Sequence, residues 1–288
     1  MADWRVGLLA AASALVLVML WAGDAIRPGS LQRSGERDLK PFPWPIWLFP
    51  GLLTFAALAL TASAASAWPW LVGPESGALR YHAAVQGATY LIGGIVALGL
   101  VYMMAHAAPN AGLRPLWSDL PIGMGLYVLA LPLVLLSGEL AVRMHASIGG
   151  ALPADGVAHP TLALMLQGAQ GGGSAWVWAL IAAAVVGAPL VEEMIYRVFL
   201  QSSISRATGL PWVGILAAAV VFAVAHAVGP AEQRVPWYAA VPIGVLGLAC
   251  GLAYERTKRL LVPITMHACF NAMNVAMAMW ATGTQSGS

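Results

Sequence analysis

The chain has 288 residues, 60% of them hydrophobic and only 9% charged. A soluble domain carries about 25% charged residues, so this composition excludes an ordinary water-soluble globule and suits a bilayer as solvent. A net charge of +2 gives no footing for a nucleic-acid partner, and two cysteines in apolar runs, Cys250 and Cys269, exclude a disulfide framework.

A spanning helix needs roughly 20 mostly apolar residues. Eight segments meet that demand: 6–23, 46–66, 83–105, 120–141, 175–201, 211–228, 237–254 and 260–281. The predicted fold is all-α, a polytopic transmembrane helical bundle of about eight helices. Tryptophans near segment ends (Trp4, Trp21, Trp44, Trp47, Trp68, Trp70, Trp117, Trp212, Trp237 and Trp280) read as interfacial aromatic belts. The first segment is longer than a signal-peptide core and lacks a small-x-small site after it, so it reads as a retained anchor.

With eight spans, Arg27, Arg33, Arg37, Lys40, Arg114, Arg206, Arg256, Lys258 and Arg259 fall on one side of the membrane. Arg5, Arg80, Arg143 and Arg234 fall on the other. The positive-inside rule then places both termini outside the cytoplasm. The chain divides into N-terminal spans over 1–145 with no evident chemistry, a Gly/Pro-rich loop over 146–174, and a C-terminal core over 175–281. The middle stretch holds Pro153, Pro160, the run Gly171–Gly173 and an apolar patch from Leu162 to Leu166, which reads as an interfacial turn. His82, His106, His145 and His159 sit near segment ends or in loops and read as interfacial.

Ionisable residues within spans are costly and are functional candidates by default. The fifth span carries Glu192, Glu193 and Arg197 just after Pro189. Glu193 and Arg197 are four apart and share a helix face, so they can neutralise each other. Glu192 points about 100° away, without a partner on its own helix, and is free to act as a general base or acid. Pro189 removes a backbone donor just before the pair and predicts a kink. The sixth span ends on Phe222 and His226, and the eighth carries His267, Asn271 and Asn274 on or near one face. Lipid cannot satisfy these groups, so the three helices must bring them together.

Each residue alone also has a packing explanation: histidine and asparagine as interhelical glue, Glu193 with Arg197 as an ion pair. Glu139 and Arg143, also four apart, read as a structural pair. Together, a glutamate, two histidines and an asparagine exceed what packing needs. No His-Glu-x-x-His zinc motif occurs, and Ser174 after the glycine run reads as the N-cap of the fifth span rather than a nucleophile. The alternatives that remain are a transporter with a proton relay, or a non-catalytic scaffold.

Glu192-Glu193-x-x-x-Arg197, Phe222-x-x-x-His226 and His267-x-x-x-Asn271 resemble, in order, the three motifs of the CAAX protease and bacteriocin-processing (Abi) family. The type II CAAX prenyl endopeptidases belong to that family. The resemblance covers roughly residues 175–280; where the family often has glycine after the motif arginine, this chain has Val198. It implies an intramembrane glutamic endopeptidase acting on a membrane-anchored protein or peptide; the high alanine, glycine and tryptophan content in turn points to a bacterial chain, expected in the inner membrane. It implies that Glu192 and His226 activate water and that His267 and Asn271 stabilise the oxyanion. Glu193 and Arg197 would support the architecture. No cofactor is required by this scheme, although Glu192, His226 and His267 would be the ligands of a zinc ion if one takes part.

Overall fold

A computed structural model describes residues 3–33, 35, 37–68, 77–152, 159–170, 175–228 and 234–285. Ten helices and no strand occur among them: α1 (Asp3–Ala22), α2 (Ser30–Arg33), α3 (Trp44–Ser66), α4 (Gly77–Ala107), α5 (Asp119–Ser147), α6 (Pro160–Gln170), α7 (Ala175–Thr208), α8 (Pro211–Val228), α9 (Trp237–Thr257) and α10 (Leu261–Gln285). Eight of these, all but α2 and α6, are long and apolar enough to cross a membrane. They match the eight segments expected from hydropathy. The protein is a membrane-spanning helical bundle. Trp70, Pro153, the Gly171–Gly173 run and Ser174 lie outside the described residues.

α7 is the axis of the bundle, touching α3, α4, α6, α8, α9 and α10. α5 packs on α9 and α10 and carries α1 on its outer side. Lipid tails are as apolar as leucine, so helix association here rests on close packing and interhelical hydrogen bonds. Gly51 of α3 shows the first: a Cβ there would come within 2.9 Å of Phe199 Cβ on α7. At the end of α7, Gly209 adopts a left-handed conformation (φ 69°) and its N–H donates to Ser205 O at 2.9 Å. Pro211 then opens α8, so the chain reverses sharply from one span to the next.

The stretch 146–174 is not a loop throughout. Residues 160–170 form α6, because Met165, with Leu162 and Leu164 beside it, buries against Leu79 and Ala83 of α4, Leu180 of α7 and Val275 of α10. Pro160 is its first residue, the helical position where a missing N–H costs least. Gln86 of α4 donates to Thr161 Oγ1 at 3.3 Å.

Two expectations from the tryptophans and the basic loops are also corrected. Trp47 is fully buried, not interfacial: its indole N–H donates to Leu39 O at 3.2 Å and its ring packs edge-on to Phe42. Arg37 is no free surface charge. It is buried against Glu255 of α9 (2.6 and 3.0 Å), donates to Ser202 Oγ at 2.9 Å, and lies 4.1 Å over the Tyr254 ring. Gln201 adds a further donor to Glu255 at 2.9 Å. Nearby, Arg256 donates to the carbonyls of Asp24 and Ala25 that follow α1, and to Ser30, which suits a cation at a helix C-terminus. The segment between α1 and α3 is thereby strapped to the end of the C-terminal bundle.

Arg37→Ala leaves Glu255 buried with only Gln201 as a side-chain donor. A loss of about 3–5 kcal/mol is expected, read as a fall in melting temperature of the detergent-purified protein. The double variant Arg37→Met/Glu255→Met removes both charges and should recover most of that loss.

Candidate active site

The site is set by the shape of α7. Two stretches, Ala183–Gly187 and Met194–Gln201, are π-helical, and they flank a short α-helical turn, Ala188–Glu193, that carries both glutamates. In the first stretch the hydrogen bonds reach back five residues: Ala188 N–H donates to Ala183 O. The next donor in that pattern would be residue 189, which is proline and has no N–H. The carbonyl of Ala184 is therefore left for an outside donor, and Asn271 Nδ2 of α10 takes it at 2.7 Å. Pro189 follows directly on this widened turn, an irregularity found frequently at functional sites.

Glu193 is fully buried and accepts from Arg197 Nε at 2.8 Å on its own helix and from His267 Nδ1 at 3.1 Å on α10. The guanidinium of Arg197 lies 5.6 Å over the Phe222 ring of α8. Three helices are tied at one level.

Glu192 faces the other way. Its Oε1 accepts from the Tyr90 hydroxyl of α4 at 3.2 Å. Its Oε2 is buried and unpartnered among the described residues. That oxygen stands 3.9 Å from His226 Nε2 and 4.0 Å from His267 Nε2. The three side chains are 16%, 22% and 4% exposed, so the cleft is narrow.

The histidine tautomers follow from their other contacts. His226 Nδ1 lies 2.8 Å from Phe222 O, and a carbonyl only accepts, so Nδ1 carries the proton. In the neutral ring Nε2 is then an acceptor. His267 Nδ1 faces the Glu193 carboxylate and likewise donates, so its Nε2 donates only when the ring is doubly protonated. The structure thus brings together Glu192, His226 and His267, with Glu193 and Arg197 behind them. Asn271 sits one turn beyond His267 on α10, with one amide N–H committed to Ala184 O. Asn274 turns back to its own helix, donating to Phe270 O at 3.0 Å. The Glu139–Arg143 pair forms at 2.7 Å and is partly exposed.

Two residues at the site were not singled out by the sequence. Tyr90 gave no signal beyond being a tyrosine within a span. His159, read as interfacial, precedes α6 with its Nδ1 buried and unpartnered among the described residues, while its carbonyl accepts from Leu162 and Ala163 N–H. Burial, and then repulsion from His226, push its pKa down to about 4.

Residues 174–273 match the family model described as type II CAAX prenyl endopeptidase Rce1-like. This segment belongs to the CAAX protease family. No curated protein and no solved structure matches the chain. The CAAX protease segment runs from the start of α7 into α10 and contains all three motifs. Tyr90, which touches Glu192, and His159, which feels the charge of His226, lie outside it. The likeness of this segment points to a protease, and the eight apolar helices to a protein embedded in a membrane.

Arg197→Ala leaves Glu193 with His267 as its only donor among the described residues, and should lower stability by about 3–5 kcal/mol, measured as lost thermal stability alongside lost activity. His159 is held neutral in the fold and titrates near 6.5 when unfolded. Below about pH 6.5 the unfolded chain binds the extra proton, so this contribution to stability falls as pH drops towards 4. Hydrogen exchange in α6 should therefore accelerate over that window in the wild type, and much less in His159→Gln.

Proposed function

We propose that the chain is an intramembrane endopeptidase that hydrolyses a peptide bond in a membrane-anchored protein or peptide. One observation carries the reading: Glu192 Oε2 and His226 Nε2 are two acceptors 3.9 Å apart, within reach of one bridging water. That water donates one hydrogen to each. Its oxygen attacks the peptide carbonyl carbon, and the proton it loses passes to Glu192 or His226. Collapse of the tetrahedral intermediate expels the amine, which takes that proton back. When its ring carries both protons, His267, held by Glu193, donates from Nε2 to the developing oxyanion. Asn271 has a second amide N–H for the same purpose, the first being held by Ala184 O. Glu193 and Arg197 hold the frame.

A metal-independent mechanism is the better supported one. Around a tetrahedral zinc, nitrogen and oxygen ligands stand about 3.4 Å apart, closer than the 3.9 and 4.0 Å here. Among the described residues no group of three His, Cys, Asp or Glu is arranged to hold a metal ion. The richness in alanine, glycine and tryptophan fits a GC-rich bacterial genome, and we place the protein in the cytoplasmic membrane. There, a C-terminal sorting tail or a peptide leader is a more suitable substrate than a prenylated protein.

The test compares the protein termini of membranes holding the wild type with those holding Glu192→Gln, by mass spectrometry. A terminus present only with the wild type is expected. With a peptide spanning that cleavage site, Glu192→Gln should lose about 100- to 10,000-fold in rate while melting normally. His226→Ala should lose as much, and the double variant no more, since both act on one water. Asn271→Ala should lose about 100- to 1,000-fold, and a chelator should change nothing. Wild-type turnover by Glu192→Gln would remove the mechanism and favour a transporter or scaffold.

A further inference from the structure

We infer that Tyr90, on α4 and outside the matched segment, is a positioning residue of the active site that selects which oxygen of Glu192 acts as the base. The inference rests on the proposed peptidase mechanism and deepens it. A carboxylate has two equivalent oxygens, and only a fixed rotamer makes one of them the base. Here the Tyr90 hydroxyl donates to Oε1 at 3.2 Å and leaves Oε2 unpartnered, turned towards His226 Nε2 and His267 Nε2. No residue of α7 donates to Glu192 in the described contacts, so the phenol is the group that holds the side chain from behind.

The backbone of α7 accommodates the phenol. Gly187 ends the first π-helical stretch, and a Cβ there would stand 3.0 Å from Tyr90 Cβ and 3.4 Å from its ring. A side chain at 187 requires the Tyr90 ring or the α7 backbone to shift by a few tenths of an ångström, which disturbs the fit of the phenol to Glu192. α4 is in turn held at this level by Gln86, one turn earlier, through its bond to Thr161 of α6. Tyr90 also keeps Glu192 from collapsing onto a protein donor of its own, since phenol engages one oxygen only and leaves the other for water.

A purely structural tyrosine would satisfy Oε1 without affecting turnover, and the two roles separate experimentally. The assay uses the full chain in nanodiscs and an internally quenched peptide spanning the cleavage site found by the terminus comparison. Tyr90→Phe keeps the ring and loses the hydroxyl. Its kcat should fall roughly ten- to a hundredfold, the worth of a hydrogen bond to a charged group, with KM and melting temperature unchanged. Gly187→Ala should lower kcat in the Tyr90 protein and add little in the Tyr90→Phe background, because both act through one contact. Turnover by Tyr90→Phe within twofold of wild type, or equal losses from Gly187→Ala in both backgrounds, overturns the assignment. Glu192→Gln run beside them separates the two ideas: if it is inactive while Tyr90→Phe is fully active, Tyr90 has no positioning role and the glutamic mechanism stands. If Glu192→Gln is active, the mechanism itself fails.

Discussion

Glu193 lies at full burial between Arg197 on its own helix and His267 on α10, and the geometry of the site follows from that arrangement. A carboxylate as fully enclosed by helices as Glu193 must meet its donors in the protein. Arg197 supplies charge from one turn away on α7, and His267 supplies a hydrogen bond from a different span. The second contact fixes the height of α10 against α7. It also turns the His267 ring so that Nε2 faces Glu192 at 4.0 Å. Glu192, left without a share in that network, stays available for chemistry.

Backbone irregularity does the complementary work. A regular α-helix through 183–201 would keep nearly every carbonyl occupied by its own N–H groups. The π-helical turn and Pro189 together free Ala184 O, which then binds Asn271. The same loosened turn puts a glycine, Gly187, where the Tyr90 ring must pass. One local departure from α geometry therefore admits a contact from α10 on one side and from α4 on the other. The second π-helical stretch follows both glutamates and contains Arg197.

The N-terminal spans are built into this arrangement. α4 contributes Tyr90 to Glu192 and Gln86 to α6, while α3 packs its Gly51 against Phe199 of α7. The segment before α3 brings Arg37 into a buried network with Glu255, Gln201 and Ser202, at the end of α7 and α9 remote in sequence from the chain's start. Breaking one partner of such a pair costs far more than the pair itself contributes. That segment is accordingly tied to the C-terminal core.

The number and order of the spans, the helical class of the fold and the pairing of Glu193 with Arg197 were legible in the sequence. Each depends on local quantities: runs of about 20 apolar residues, or a spacing of four on one helix face. The three motifs that mark the CAAX protease family were legible for the same reason, being short patterns within single helices. What only the tertiary structure decided is every contact between helices distant in the chain. Trp47 looked interfacial and is buried, Arg37 looked like a loop charge and is paired with Glu255, and Tyr90 gave no sign of touching Glu192. Composition records that a polar group must be satisfied within a bilayer but not by which partner, since many donors on eight spans meet that need equally. The choice is made by packing: where small residues let helices approach, and where a widened turn exposes a carbonyl, the partner is whichever side chain the approaching helix carries at that height.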